Sequence, residues 1–190
     1  MCLLKNHFGL MTCSLVICFL SITAWSQPAN TQRDEIVLLQ SLAEATSSSE
    51  ASKFDRELQA IWSKSGSSAM DLLLRRGQDA LERGEYSLAL QHLTALVDHA
   101  PTFAEGWHLR AKAFFNAELI GPAISDMEQS LELNPNNYHA IFGLAMILEG
   151  IGKNNEAFKG YSVVKKMHPN HENIDDALKR LESQINGISL

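Results

Sequence analysis

Beyond residue 26 this 190-residue chain has no cysteine, because Cys2, Cys13 and Cys18 all fall before it. That excludes disulfides, thiolate nucleophiles and cysteine-ligated metals from the remainder. The same stretch holds no Asn-x-Ser/Thr acceptor, so the N-glycans that mark many eukaryotic secreted chains have no attachment point. Basic clusters are missing as well: no segment carries the stripe of Lys and Arg on which nucleic-acid affinity rests. Nor is there an HExxH helix, a Gly-rich loop following a strand, or a serine in a nucleophile elbow. With those signatures lacking, no catalytic residue, cofactor, metal or nucleic-acid partner is expected.

Long apolar runs are absent too, with one exception at the start. Met1 to Phe8 carry a single lysine, Lys5, and Gly9 to Ala24 are almost wholly apolar before Ala24-Trp25-Ser26. Small residues at Ala24 and Ser26 suit a signal peptidase, so residues 1–26 are expected to be a secretory signal peptide. The apolar run, roughly 15 to 16 residues, is shorter than the ~20 that span a bilayer as a helix, although an uncleaved anchor is the alternative. Cys13 follows Leu10-Met11-Thr12 and Cys18 follows Leu15-Val16-Ile17, without the small residues a lipoprotein signal places before its cysteine; both are apolar filler. Export without cysteines or glycan acceptors points to a bacterial periplasm. Leaving out Lys5, 15 basic side chains stand against 22 acidic ones, a net charge of −7 that favours solubility.

Proline is sparse, and its placement is the strongest signal in the chain. Of five prolines, Pro101, Pro135 and Pro169 stand 34 residues apart. Other residues recur in the same register: small ones at Gly77, Ala111 and Ala145 and again at Ala89, Ala123 and Ala157. Bulkier ones recur at Leu73, Trp107 and Ile141, at Ala80, Phe114 and Leu148, and at Leu93, Met127 and Tyr161. A small residue is what a close contact between two helices admits, and a proline ends the second helix of each unit. Taken together these series resemble the tetratricopeptide repeat, a helix–turn–helix unit of ~34 residues. The whole chain is similar to small exported tetratricopeptide proteins of alphaproteobacteria. The resemblance implies an all-helical, right-handed superhelical solenoid of antiparallel helix pairs. The middle repeat departs from the pattern by carrying Glu118 where its neighbours have Gly84 and Gly152, and by entering its second helix through Gly121-Pro122.

The expected organisation is a flexible lead at 27–33, an N-terminal helical hairpin at 34–66, repeats at 70–102, 103–137 and 138–171, and a capping helix at 172–190. In the hairpin, Ile36, Leu39, Leu42 and Ala43 form one apolar stripe, and Phe54, Leu58, Ile61 and Trp62 form another. Those stripes need a neighbour, and the first repeat is the expected one. In the last helix Ile174, Ala177, Leu178, Leu181 and Ile185 make a stripe with charged residues turned elsewhere.

In this family the first helices of successive repeats line a concave groove. The resemblance therefore nominates Leu74, Gln78, His108, Lys112, Phe115, His139, Phe142 and Met146 as partner-binding residues, with Asp71, Glu82, Glu105, Asn116 and Glu149 beside them. The expected function is an exported, non-enzymatic adaptor or scaffold that binds a peptide or protein segment by apolar anchors and a charged rim. A self-associating structural subunit of an envelope assembly, forming a homo-oligomer, and a regulatory subunit of an envelope enzyme are the alternatives. The same side chains are alternatively buried beneath a terminal helix or a neighbouring hairpin. Some family members grip a C-terminal carboxylate with Lys, Asn and Arg. The matching positions here are Leu74, Gln78, Leu109, His139 and Gly143, which do not supply that cationic set. His168-Pro169-Asn170-His171 offers two imidazoles but no third ligand at fixed spacing, so it is expected to be a polar connection.

Overall fold

The computed structural model describes residues 28–187; the expected signal peptide at 1–26 lies outside them. Among the described residues there are nine helices and no strand. They are α1 (Pro28–Glu44), α2 (Ser48–Trp62), α3 (Ser68–Glu82), α4 (Tyr86–His99), α5 (Ala104–Asn116), α6 (Ile120–Leu133), α7 (Tyr138–Gly150), α8 (Asn154–Met167) and α9 (Ile174–Gly187). None of these helices is long and apolar enough to cross a membrane. Helix α1 starts at Pro28, so residues 28–33, expected as a flexible lead, are helical. A proline is well suited to a first helical position because its missing N–H has no intrahelical acceptor there.

Helices α3/α4, α5/α6 and α7/α8 are three copies of one unit, and the chain punctuates each copy identically. The second helix stops before a proline, and the residues ahead of it, Ala100, Asn134 and His168, share φ values of −134°, −138° and −140°. With ψ values of 66°, 89° and 79° all three lie outside the helical region that a following proline ring disfavours for its neighbour. The turn inside each unit is built on a left-handed residue: Gly84 at φ 73°, Glu118 at φ 62° and Gly152 at φ 80°. Gly84 N–H returns to Leu81 O at 3.0 Å and Glu85 N–H to Ala80 O at 2.9 Å. The same pair of bonds recurs at Glu118 and Leu119 and at Gly152 and Lys153. These close the carbonyls left open at the end of the first helix. Glu118 thus adopts the conformation of a glycine, and the bonds of the turn hold it there. Pro122, expected at the entry to the second helix, is the third residue of α6. It still falls among the four N–H positions that have no intrahelical partner.

Within a unit the helices meet where a side chain is missing. A Cβ on Gly77 would lie 2.5 Å from Leu93, which is fully buried beneath α3. Ala111 and Met127 share one core cluster, and Ala145 and Tyr161 another, in the same register. The second small series, Ala89, Ala123 and Ala157, is fully buried. In the middle unit Arg110 adds a forked bond to Asp126, Nε to Oδ2 at 2.6 Å and Nη2 to Oδ1 at 2.9 Å, tying α5 to α6. The Arg110 guanidinium also lies 4.8 Å from the Trp107 ring, covering its face.

Beyond the third unit, α9 packs on α8 in the slot that a fourth first helix would fill. Ile174, Leu178 and Leu181 stand at the register of Ala140, Leu144 and Ile147, which face α6 one unit earlier, and Ile174 and Leu181 are fully buried. Its outer side turns Asp175, Asp176, Lys179 and Glu182 to solvent, as a terminal helix must. At the other end no described helix caps α3: Arg76 and Asp79 solvate its outer side, and Leu72 is exposed.

The hairpin α1–α2 is displaced from its expected seat on the first repeat. It packs against the far end of the solenoid, where Leu42, Ala51, Leu58 and Trp62 join Tyr138, Tyr161, Val164, Ile174 and Leu181 in one cluster. Helix α1 reaches α8, and Asn170 Nδ2 donates to Ala45 O at 2.7 Å. The outer side of α3, with Arg76 and Asp79, is too polar to receive the hairpin's stripes, whereas Tyr138 and Phe142 give them an apolar seat.

Two substitutions test this anatomy. Glu118→Gly relieves a left-handed L-residue and is expected to stabilise the chain by about 0.5–1 kcal/mol. Gly77→Val puts a branched side chain against Leu93 and is expected to cost about 1–3 kcal/mol. Chemical denaturation of both variants beside the unaltered chain checks the opposite signs.

Candidate binding groove

First helices α3, α5 and α7 line the concave face, and α2 lies across the α7 end of it. What remains open is a cavity of about 470 Å³ bounded by α5, α7 and the C-terminal end of α2. Of the residues expected to face a partner, Gln78, His108, Lys112, Phe115, His139, Phe142 and Met146 line this cavity. Leu74 does not. It is 2% exposed and packs in a core cluster with Leu93, Leu96 and Leu109, because an apolar side chain at that register finds the seam between α3 and α5. Asp71, expected at the groove rim, instead accepts bonds from Ser65 N–H at 2.8 Å and Ser65 Oγ at 2.6 Å. It fastens the chain segment between α2 and α3.

The cavity has an apolar floor and a sparse polar rim. Phe115 and Met146 remain 36% and 43% exposed, while Phe142 is partly covered and stacks near Tyr161 and His171. Gly143 holds the floor open: a Cβ there would lie 2.7 Å from the Met127 methyl. His108 is nearly buried, and its Nδ1 donates to the Glu105 carboxylate at 3.2 Å. Asn137 Nδ2 donates to the same carboxylate at 3.1 Å. Glu105 is therefore spent on orienting its own wall. Lys112 is different, since no carboxylate among the described residues pairs with its ammonium. It is the free charge of the rim.

At the covered end, Asp55 of α2 accepts bonds from the Tyr138 hydroxyl and from His139 Nε2, the latter at 2.8 Å. Burial works to raise the Asp55 carboxyl, but the bonds from His139 and Tyr138 outweigh it and hold the group below the usual carboxylate range. Burial, and then Asp55, push the Tyr138 phenol up. The Trp62 ring meets the Tyr138 ring edge-on at 5.5 Å, and Trp62 Nε1 donates to Glu35 at 3.0 Å, closing α2 against α1. Behind Tyr138 stands His168, 7% exposed, whose Nδ1 has no hydrogen-bond partner. Burial, and then His171, push His168 down from 6.5 to about 4, and burial also lowers His171. The His168 and His171 rings lie 5.3 Å apart. Among the described residues no group of three or more His, Cys, Asp or Glu is placed to hold a metal ion.

No family model matches the chain. It is 26% identical over 137 residues to a TPR repeat-containing protein of Rhizobium etli, covering 72% of this chain and 67% of that one. It is 29% identical over 94 residues to the mouse Superkiller complex protein 3, covering 50% of this chain and 6% of that one. Among solved structures, the Sgt2 TPR domain from Aspergillus fumigatus matches with a TM-score of 0.60 and 21% identity, over 65% of this chain and 83% of that one. The first TPR of Spaghetti (RPAP3), bound to the HSP90 peptide SRMEEVD, matches with a TM-score of 0.59 and 23% identity, over 62% and 93%. The chain has the tetratricopeptide-repeat fold and is similar in sequence to proteins that carry that repeat. The described helices form the all-helical solenoid expected of that class.

A neighbouring hairpin was the alternative cover for the groove side chains, and α2 does cover the α7 end, but the hairpin residues that do so were not legible in the sequence. Gln59 and Trp62 line the cavity and Asp55 bonds to its wall, yet no local pattern marks them: their partners are 76 to 84 residues away in the chain. The stripe that includes Leu58 and Trp62 announced burial without naming the neighbour.

The buried histidines set a pH dependence with a definite sign. His168 binds its proton more readily unfolded, at 6.5, than folded, at about 4, so its contribution to stability is complete above 6.5 and is lost as pH falls through that window. Asp55, depressed in the fold, loses its contribution only at lower pH, below 3.8. The groups around His168 are Asp55 from α2, Tyr138 and His139 from α7, and His171. His168→Phe is expected to keep the ring contact with Tyr138 and to flatten the fall in melting temperature between pH 6.5 and 4. Parallel curves for the variant and the unaltered chain would refute this assignment.

Proposed function

We propose that this chain is an exported, non-enzymatic adaptor that holds a peptide or protein segment at the open part of its concave face. The observation that carries the reading is the cavity beside α5. Two large apolar side chains, Phe115 and Met146, stay exposed there next to an unpaired Lys112. Exposed apolar anchors with one free charge suit a bulky apolar side chain flanked by an acidic group, the arrangement in which a few residues provide most of the affinity. Tetratricopeptide neighbours support the peptide part of the reading: one is bound to the HSP90 peptide SRMEEVD and another is described as a TPR2B-domain:pHsp70-complex.

The segment differs from a chaperone tail in how it would be held. At the five positions that grip a terminal carboxylate in some family members stand Leu74, Gln78, Leu109, His139 and Gly143. Leu74 and Leu109 are buried, and His139 is engaged with Asp55. Recognition here thus rests on the apolar floor and not on a carboxylate clamp. Residues 1–26, read as a signal peptide, support export, and the periplasm suits a chain with no cysteine beyond them. The titratable groups on the groove wall are engaged with one another, Asp55 with Tyr138 and His139 and Glu105 with His108, which supports the non-enzymatic reading.

Phe115→Ala with Met146→Ala tests the proposal, because both side chains are exposed. Unfolding free energy is expected to change by about 1 kcal/mol or less. Crosslinking from Lys112 in cells, followed by mass spectrometry, is expected to recover a partner with the unaltered chain and to lose it with the double variant. Equal recovery from both would refute the groove.

A further inference from the structure

The hairpin is tethered at one end of the solenoid and docked at the other. Between α2 and α3 run Ser63 to Ser67, with Gly66 exposed and at φ 83°. The link is fastened to the start of α3 through Ser65, whose N–H and hydroxyl both bond to Asp71, and through Asp71 N–H to Ser67 O at 2.9 Å. Its docked face is a short pattern: Asp55, Leu58 and Trp62 at i, i+3 and i+7, with Gln59 at the edge. Asp55 meets Tyr138 and His139, Gln59 Nε2 lies 3.2 Å from His139 Nε2, and Trp62 meets Tyr138. The opposite face, with Lys53, Arg56, Glu57 and Ala60, is exposed. An amphipathic helix laid on a groove with one charged contact and two apolar anchors is a standard mode of peptide recognition. Here the ligand-like helix belongs to the chain itself.

We propose that the α7 end of the concave face is a docking site for an acidic amphipathic helix, and that α2 is its tethered, displaceable occupant. The site takes a partner helix that presents a carboxylate to Tyr138 and His139 and bulky apolar residues three and seven positions later. This rests on the groove reading above, extending it to the part of the groove that α2 covers. Charge complementarity supports the assignment, since Asp55 is the anion in the interface and a phenol and an imidazole receive it. So does the fit of the seated α2, whose Leu58 is fully buried and whose Trp62 is 8% exposed. The docked state carries a cost as well: His168 Nδ1, behind Tyr138, is buried without a partner. A covalent tether raises the local concentration of α2, so an outside helix must out-compete an intramolecular one.

The test uses a fluorescent synthetic peptide of residues 48–62 titrated into the full chain and into its Asp55→Ala variant. Asp55→Ala loosens the chain's own hairpin and leaves Tyr138 and His139 intact. The peptide is expected to bind the variant at least about tenfold tighter than the unaltered chain, and the same peptide carrying the Asp55→Ala change to bind the variant at least about tenfold weaker. No binding to either chain, or equal binding of both peptides, overturns the proposal. Hydrogen exchange on the unaltered chain provides a second measurement should the variant fail to fold. Amides of α2 exchanging well ahead of those of α7 support a displaceable hairpin; a common exchange rate makes it permanent core and overturns the proposal. Failure here with the Phe115 and Met146 variant still losing its partner sinks this site alone. Peptide binding with no effect of that variant sinks the open-groove reading instead.

Discussion

Close approach of two helices at a missing or single-methyl side chain is the constraint on which the rest of the molecule depends. Leu93 fits beneath α3 because Gly77 has no Cβ. At the next two units the seat is an alanine and the occupant is larger, Met127 and then Tyr161, within the same register. Packing in protein interiors is too dense to absorb an extra branch at such a seat, so the seat sets the spacing between the helices. Spacing repeated three times generates the curved stack, and the stack is what creates a concave face.

Each unit is held by two boundary devices with different tolerance. The proline boundary is rigid: whatever residue stands before the ring, be it Ala100, Asn134 or His168, takes nearly the same non-helical backbone. The left-handed turn is set by hydrogen bonds and not by residue type, since Glu118 occupies it with the same bonds as the two glycines. A cooperative array can carry one strained turn where neighbours on both sides define the path.

The concave face is divided between two uses. At its α7 end the hairpin contributes Asp55, Leu58 and Trp62 and converts a surface into a buried interface around Tyr138. Toward α5 the cover stops, leaving Phe115 and Met146 exposed beside Lys112. Of the residues nominated from the sequence, Phe142 and His139 fall under the hairpin's edge while Phe115 and Met146 stay open. One register nomination therefore splits by neighbour and not by residue type. Leu74 shows the same principle in reverse: its counterparts His108 and Phe142 reach the cavity, but Leu74 at the first unit turns into the α3–α5 seam.

Amino-acid order by itself determined what is local or periodic. The helix pairs, their boundaries at Pro101, Pro135 and Pro169, the small seats and the terminal stripe of α9 are all legible, because each depends on residues within about one repeat of each other. Only the tertiary structure decided where the hairpin lies and how much of the groove it leaves open. Its stripes state that α1 and α2 must be buried, but many surfaces can bury a stripe. The bond from Tyr138 to Asp55 spans 83 residues, and its formation depends on the curvature accumulated over three stacked units. Hydrophobic attraction has no direction of its own, so partner choice falls to shape and to a few polar contacts that exist only once the stack is built.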